Sequence, residues 1–214
     1  MKTLLSAVLI LTFVIGTYAD DKYEKAVKKN LERMDTCKTA ADYINIANAF
    51  ERIALAESNK WLPFYYTSLN LVLASYIDSS NTQKDMYLDK AIEFIHTADS
   101  LEPNNAEIFT IKGMISQSRM QVDPMSRWQK YGADATMNFN KAVEIDSLNP
   151  RPEYLIGIGV YYTPKQFGGG PEKAKPILEK SLYKYEQFVP ANVLMPIWGK
   201  ETVEQLLKQI NEGK

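Results

Sequence analysis

Apolar residues recur at helical spacing from about residue 21 onward, and the strict alternation of apolar and polar residues that is typical of a strand is nearly absent. This pattern predicts an all-α protein of about nine helices. The helices are predicted at about Lys22–Met34, Thr39–Glu57 and Trp61–Ile77, within NTQKDMYLDKAIEFIHTADSLEPNN and AEIFTIKGMISQSRM, around Ala135, Phe139 and Ala142, over PEYLIGIGVYY, and at about Pro171–Phe188 and Glu201–Ile210.

Prolines mark several of the predicted helix boundaries. Pro63 and Pro171 suit the first turn of a helix, where the missing N–H has no helical partner. Pro103 ends the helix before it. A loop is predicted around QVDPMSRW, between the fifth and sixth helices. The last helix is predicted to cap the protein with an apolar stripe of Val203, Leu206, Leu207 and Ile210.

Three of the predicted helices share one pattern: a small residue, an apolar residue four positions later, and a small residue three positions after that. Small side chains on one stripe let a neighbouring helix approach closely. Gly113 lies on a helix that precedes one of the three. The sets are Ala91, Ile95 and Ala98; Ala135, Phe139 and Ala142; and Ala174, Leu178 and Ser181, with a weaker copy at Thr67, Leu71 and Ala74.

Residues 39–188 resemble the tetratricopeptide repeat family, whose unit is a helix pair of about 34 residues. The most specific features are Gly113, the three helices described above, and the EPNN turn that ends at Asn105. The resemblance implies a right-handed superhelix in which the first helix of each pair lines a concave face. The stretches SLNPRPEYLIGIGVYYTPKQFGGGPEKAKPILEKSL and PIWGKE are similar to secreted, repeat-containing Bacteroidota proteins of mostly unassigned function.

The chain departs from that pattern in its spacing. Ala135 lies 44 residues after Ala91, and Ala174 lies 39 residues after Ala135, so extra residues are expected between the paired helices. Ser147 stands where the family pattern has a proline, and Pro150 follows three residues later. Gly157 and Gly159 are both candidates for the close-contact glycine of the last pair.

The first nineteen residues, MKTLLSAVLILTFVIGTYA, have the basic start, apolar stretch and small terminal residues of a secretory signal peptide. Cleavage is expected near Ala19, with export to the periplasm or the medium; an uncleaved anchor is the alternative. Cys37 does not follow the apolar stretch directly, so lipid attachment is not expected. The predicted divisions are 1–19 (signal peptide), 20–38 (N-terminal helix), 39–188 (repeats) and 189–214 (capping segment).

Charge and cysteine content narrow the expected partners. Lysine and arginine number 25 against 26 acidic residues, which gives no electrostatic reason to expect nucleic acid or a membrane surface as partner. Cys37 is the only cysteine, so an intramolecular disulfide is excluded. We interpret Cys37 as a small apolar residue near a helix end rather than as a reactive thiol.

Gly168, Gly169 and Gly170 could cradle a phosphate with their backbone N–H groups, or they could form a turn. The stretch lacks P-loop spacing and no strand precedes it, so a structural turn is predicted. His96 is the only histidine, which excludes paired-histidine zinc motifs. No catalytic, cofactor-binding or metal-binding residue is predicted, and the protein is not expected to be an enzyme; a hydrolase with scattered carboxylates is the weakest alternative.

Aromatic residues are plentiful, and on the first helix of a repeat pair they can serve as binding anchors. The predicted groove consists of Thr110, Met114, Gln117, Tyr154, Ile158, Tyr161 and Tyr162. The first functional hypothesis is a non-enzymatic exported scaffold that binds a peptide or protein. The alternative is a periplasmic component of an uptake system that binds a small ligand in an aromatic pocket.

Overall fold

The computed structural model describes residues 20–213, and within that range the protein consists of nine α-helices, one short 3₁₀ helix and no strands. The all-α prediction is therefore confirmed. The helices are α1 (20–34), α2 (Ala40–Ala56), α3 (Trp61–Ile77), α4 (Asn81–Leu101), α5 (Ala106–Val122), α6 (Pro124–Ile145), α7 (Arg151–Tyr162), α8 (Pro171–Gln187) and α9 (Lys200–Asn211), with the 3₁₀ helix at Lys165–Phe167.

From α2 onward, each helix packs against the next helix along the chain, and α3, α5 and α7 also contact one another in that order. The result is a row of helix pairs. The helix α9 packs on α8 at the end of the row and buries Val203, Leu206 and Leu207. Because these residues lie on one side of an amphipathic helix, α9 covers the last apolar seam as a capping helix does.

Two glycines explain how closely the paired helices approach. At Gly113 on α5, an added Cβ would overlap the ring of Phe139, the large residue of the pattern on α6. At Gly157 on α7, an added Cβ would lie 2.6 Å from a methyl carbon of Leu178, the large residue on α8. Gly159 instead faces the Gln117 side chain on α5. Gly157 is therefore the counterpart of Gly113, a choice that the sequence left open.

The predicted loop around QVDPMSRW is wrong. The helix α5 continues to Val122 and α6 begins at Pro124, so that Asp123 alone separates them. The Asp123 carboxylate accepts a hydrogen bond from the backbone N–H of Ser126 and caps α6. Pro124 occupies the first turn, where a proline fits. The extra residues of this pair therefore lengthen α6 to 22 residues instead of forming a loop.

Residues 188–199, here called the strap, connect α8 to α9 without forming a helix. The strap lies against α3, α7 and α8. The Tyr66 hydroxyl on α3 donates a hydrogen bond to the Leu194 carbonyl (2.6 Å), and the Trp198 indole N–H donates to the Tyr65 hydroxyl (2.9 Å). The Tyr185 hydroxyl on α8 donates to the Trp198 carbonyl (2.9 Å).

The predicted signal peptide, residues 1–19, lies outside the described residues. Among residues 20–213, no helix combines the length and the apolar character that a membrane crossing requires. The predicted division of the chain into an N-terminal helix, repeats and a capping segment stays a prediction.

Candidate functional site

The structure buries four of the seven predicted groove residues. Thr110, Met114, Gln117 and Tyr154 are at most 9% exposed. The Thr110 hydroxyl donates to the Ala106 carbonyl of its own helix (2.8 Å), and the Gln117 amide donates to the Leu155 carbonyl on α7 (3.1 Å). The Thr110 hydroxyl is therefore engaged within α5, and the Gln117 amide is engaged between α5 and α7.

The remaining three lie toward the C-terminal end of α7. Ile158 and Tyr161 are partly exposed, and Tyr162 is exposed. The rings of Tyr161 and Tyr162 meet edge to face with centroids 4.9 Å apart. The Gln117 side chain links the predicted groove residues on α5 to those on α7, because its amide bonds to the Leu155 carbonyl. Partner binding by these seven residues stays a prediction.

The glycine stretch forms the end of the connection between α7 and α8. Gly168 and Gly170 have positive φ angles of 85° and 103°. All three glycine N–H groups donate to nearby carbonyls: Gly168 to Lys165 (3.0 Å), Gly169 to Pro164 (3.3 Å) and Gly170 to Val160 (2.8 Å). Because these donors are committed to the turn, they are not presented to an anion.

A pocket of about 340 Å³ lies between α1, the start of α3 and the strap. Its lining combines two aromatic rings, three aliphatic side chains and four polar residues, of which one is basic and one acidic. The lining residues are Tyr23, Glu24, Asn59, Lys60, Trp61, Leu62, Asn192, Val193 and Leu194. Pockets that bind small molecules have this composition, apolar walls with a few polar groups, and volumes of about 300–1,000 Å³.

Lys60 supplies the positive charge of this pocket. Its ammonium nitrogen lies 4.6 Å from the centroid of the Tyr23 ring and 3.0 Å from a carboxylate oxygen of Asp20. Asp20 is largely exposed, so this ion pair contributes little to stability and can exchange for another carboxylate. Burial, with smaller contributions from Glu57 and Asp20, raises the pKa of Tyr23 to about 12.

Behind the pocket, α3 carries a connected set of aromatic rings. Trp61 meets Tyr65 edge to face at 5.7 Å, Tyr65 meets Tyr66 at 5.1 Å, and Tyr66 stacks on Phe50 of α2 at 4.9 Å. Aromatic pairs at such distances stabilise their mutual arrangement beyond simple burial. The wall that contains Trp61 is therefore held by packing across α2 and α3.

A buried ion pair links this wall to the rest of the helix row. The Tyr65 hydroxyl donates to the Glu107 carboxylate on α5 (3.3 Å), which also binds the Arg151 guanidinium on α7. The Arg151 guanidinium carbon lies 4.6 Å from the Phe188 ring centroid and 5.7 Å from that of Trp198, both on the strap. Since Arg151 is fully buried, this network ties α3, α5, α7 and the strap into one unit.

Sequence reasoning missed the pocket. Trp61 belongs to a conspicuous aromatic group with Phe64, Tyr65 and Tyr66, which was a usable signal. Tyr23, Lys60 and Leu194 carried no such signal, because each is an ordinary residue far from the others along the chain. Among residues 20–213 no cluster of three or more histidine, cysteine or acidic residues is arranged to hold a metal ion.

No protein-family model and no curated protein matches the chain. Among solved structures, it is similar to the HusA haemophore from Porphyromonas gingivalis, with 30% sequence identity and a TM-score of 0.79. The match covers 90% of this chain and 94% of that one. The chain belongs to the same family as this haemophore.

The similarity to the haemophore can be compared with three expectations from the sequence: that the protein is not an enzyme, that it resembles Bacteroidota proteins, and that it resembles tetratricopeptide repeats. A haemophore is a binding protein rather than a catalyst, and Porphyromonas gingivalis is a member of the Bacteroidota, the group that the sequence resemblance indicated. The tetratricopeptide resemblance stays a prediction, since no family model supports it.

Proposed function

We propose that this protein is an exported binding protein for a flat, largely apolar ligand that carries carboxylate groups, with haem as the first candidate. The observation that carries this proposal is the 30% identity with a haemophore over nearly the whole of both chains. It favours the small-ligand alternative over the scaffold hypothesis. Haem would be the cargo of the protein, and no reaction is involved.

The pocket suits such a ligand in its chemistry. Trp61, Leu62 and Val193 offer apolar surface to a ring, and Lys60 offers a cation to a carboxylate at the rim. The volume of about 340 Å³ is at the small end for ligand pockets, and the pocket opens to solvent. A large flat ligand would therefore insert one edge and leave the opposite edge exposed.

The pocket recognises the ring rather than the iron. His96, the only histidine, is exposed on α4 and does not line the pocket. Tyr23 is the one phenol in the lining, and burial raises its pKa, which disfavours the phenolate form that iron(III) binds. Iron-free protoporphyrin is therefore expected to bind about as tightly as haemin.

The test is a titration of the purified protein with haemin and with protoporphyrin, followed by ligand absorbance and tryptophan fluorescence. Trp61→Ala is expected to weaken both ligands about tenfold, or about 1.4 kcal/mol, because it removes a central aromatic contact. The matched control is Trp128→Ala, on exposed α6 surface outside the pocket, which should bind within about twofold of the unmodified protein.

Two outcomes would contradict the proposal. If the unmodified protein binds neither haemin nor protoporphyrin, the ligand class is wrong. If both ligands bind but Trp61→Ala and Trp128→Ala behave alike, the ligand site lies elsewhere on the protein.

A protein or peptide partner is the second candidate, supported by a different surface. Tyr162 and Phe167 are 70% and 73% exposed on the connection that leads out of α7. Exposed aromatic side chains are common anchors of protein interfaces. A crosslinking pull-down that compares the unmodified protein with Tyr162→Ser tests this candidate, which fails if both recover the same proteins in the same amounts.

A further inference from the structure

One wall of the pocket is built from chain that has no helical hydrogen bonds. Asn192, Val193 and Leu194 belong to the strap and line the pocket together with the start of α3. The Leu194 N–H donates to the Asn192 side chain (2.9 Å), and the Met195 N–H donates to the Asn192 carbonyl (3.2 Å). These bonds shape the turn internally but do not hold it to the helices.

Within the described residues, three hydrogen bonds join the strap to α3 and α8. They fall into two groups. Two of them meet at Trp198, through Tyr65 and Tyr185, at the end of the strap that leads into α9. The third joins the Tyr66 hydroxyl to the Leu194 carbonyl at 2.6 Å. Only this third bond reaches the part of the strap that lines the pocket.

Tyr66 is well suited to hold that wall in place. It is 1% exposed, stacks on Phe50, and lies on α3 five residues after Trp61. Burial raises its pKa, so the hydroxyl keeps the proton that it donates to Leu194. One helix therefore carries Trp61 in the lining and also anchors the strap part of the lining through Tyr66.

We infer that Tyr66 is a positioning residue for ligand binding: its hydroxyl holds the Asn192–Leu194 wall against α3 and thereby sets the width of the pocket. This inference rests on the proposed function. Tyr66 does not line the pocket, so it acts through the strap rather than by touching the ligand. Without its hydroxyl the wall moves outward more readily and the ligand leaves faster.

The experiment compares Tyr66→Phe with Tyr185→Phe. Each substitution removes one hydroxyl that bonds to a strap carbonyl and keeps the ring, but the Tyr185 bond lies at Trp198, outside the pocket lining. Tyr66→Phe is expected to raise the dissociation rate of protoporphyrin about fivefold, the effect of losing one hydrogen bond of ordinary strength. Tyr185→Phe should leave that rate within about twofold, although both lower the melting temperature.

Amide hydrogen exchange shows which part of the strap each hydroxyl holds, and the dissociation rate then shows whether that part affects the ligand. In the ligand-free protein, Tyr66→Phe should speed exchange at residues 193–195, whereas Tyr185→Phe should not. In the unmodified protein, protoporphyrin should slow exchange at the same residues, a measurement that does not depend on any variant folding.

The outcomes separate this inference from the proposed function. If Trp61→Ala weakens protoporphyrin about tenfold while Tyr66→Phe and Tyr185→Phe release protoporphyrin at the same rate, the ligand site stands and the positioning role is wrong. If the unmodified protein binds neither haemin nor protoporphyrin, the proposed function is wrong and the inference falls with it.

Discussion

The pocket and the glycine turn at 168–170 are opposite kinds of region. The turn consists of three adjacent, distinctive residues, and its backbone donors are all committed to nearby carbonyls. The pocket is assembled from residues near positions 23, 60 and 193, none of which forms a motif. The most distinctive short sequence, the three glycines, forms a turn. The candidate binding site is instead formed where segments distant in the sequence meet.

This difference has a measurable consequence. Substitutions in the turn should change the free energy of unfolding and leave ligand affinity unaltered in the folded protein. Substitutions on the pocket wall should lower ligand affinity, as proposed above for Trp61. The three substitutions below test that separation.

Gly169→Val should have the largest effect. A Cβ at Gly169 would overlap the backbone carbonyl of Thr163, which cannot swing away as a side chain could. We expect a loss of about 3 kcal/mol in the free energy of unfolding, measured by urea denaturation. Protoporphyrin affinity, measured well below the transition, should equal that of the unmodified protein. A loss of affinity with unaltered stability would instead make the turn a ligand loop.

Gly168→Val should have a smaller effect, because the position has open space but a φ of 85°. A β-branched residue in the left-handed region costs about 1.5 kcal/mol, which urea denaturation resolves. Gly168→Asn is the matched control, since asparagine tolerates this conformation, and it should lie within about 0.5 kcal/mol of the glycine. Equal losses for valine and asparagine would show that backbone conformation is not the cause.

Lys60→Met should have the smallest effect of the three, and this effect should be on ligand affinity rather than on stability. Removing a partly exposed cation should weaken protoporphyrin about threefold at low salt and reduce the salt dependence of binding. Lys165→Met is the control, because Lys165 pairs with Glu172 beside the glycine turn, away from the pocket. Unchanged affinity in Lys60→Met would exclude recognition of a ligand carboxylate by this residue.

Much of the fold follows from local patterns. The predicted bounds of α3 agree with the structure, and those of α2 and α8 lie within one residue of it, because apolar periodicity and capping residues act over a few positions. The QVDPMSRW prediction failed for a physical reason: a proline that ends one helix also suits the first turn of the next. Periodicity could not tell a loop from an abrupt helix junction.

The candidate site was less accessible to sequence reasoning. Thr110 and Gln117 were placed in a groove because they lie on the first helix of a pair, but helical periodicity does not state which side of that helix a later segment covers. The structure buries both and places the pocket beside Trp61. Their role in partner binding stays a prediction.

By itself, the sequence determined that the chain is helical, that small residues let paired helices approach closely, and that the glycines form a turn. These features depend on interactions between residues close together along the chain. The tertiary structure alone decided that Gly157 faces Leu178 and that Leu194 closes a pocket against α3. Both depend on contacts between distant segments, whose energies are set by the complete packing arrangement and leave no local pattern.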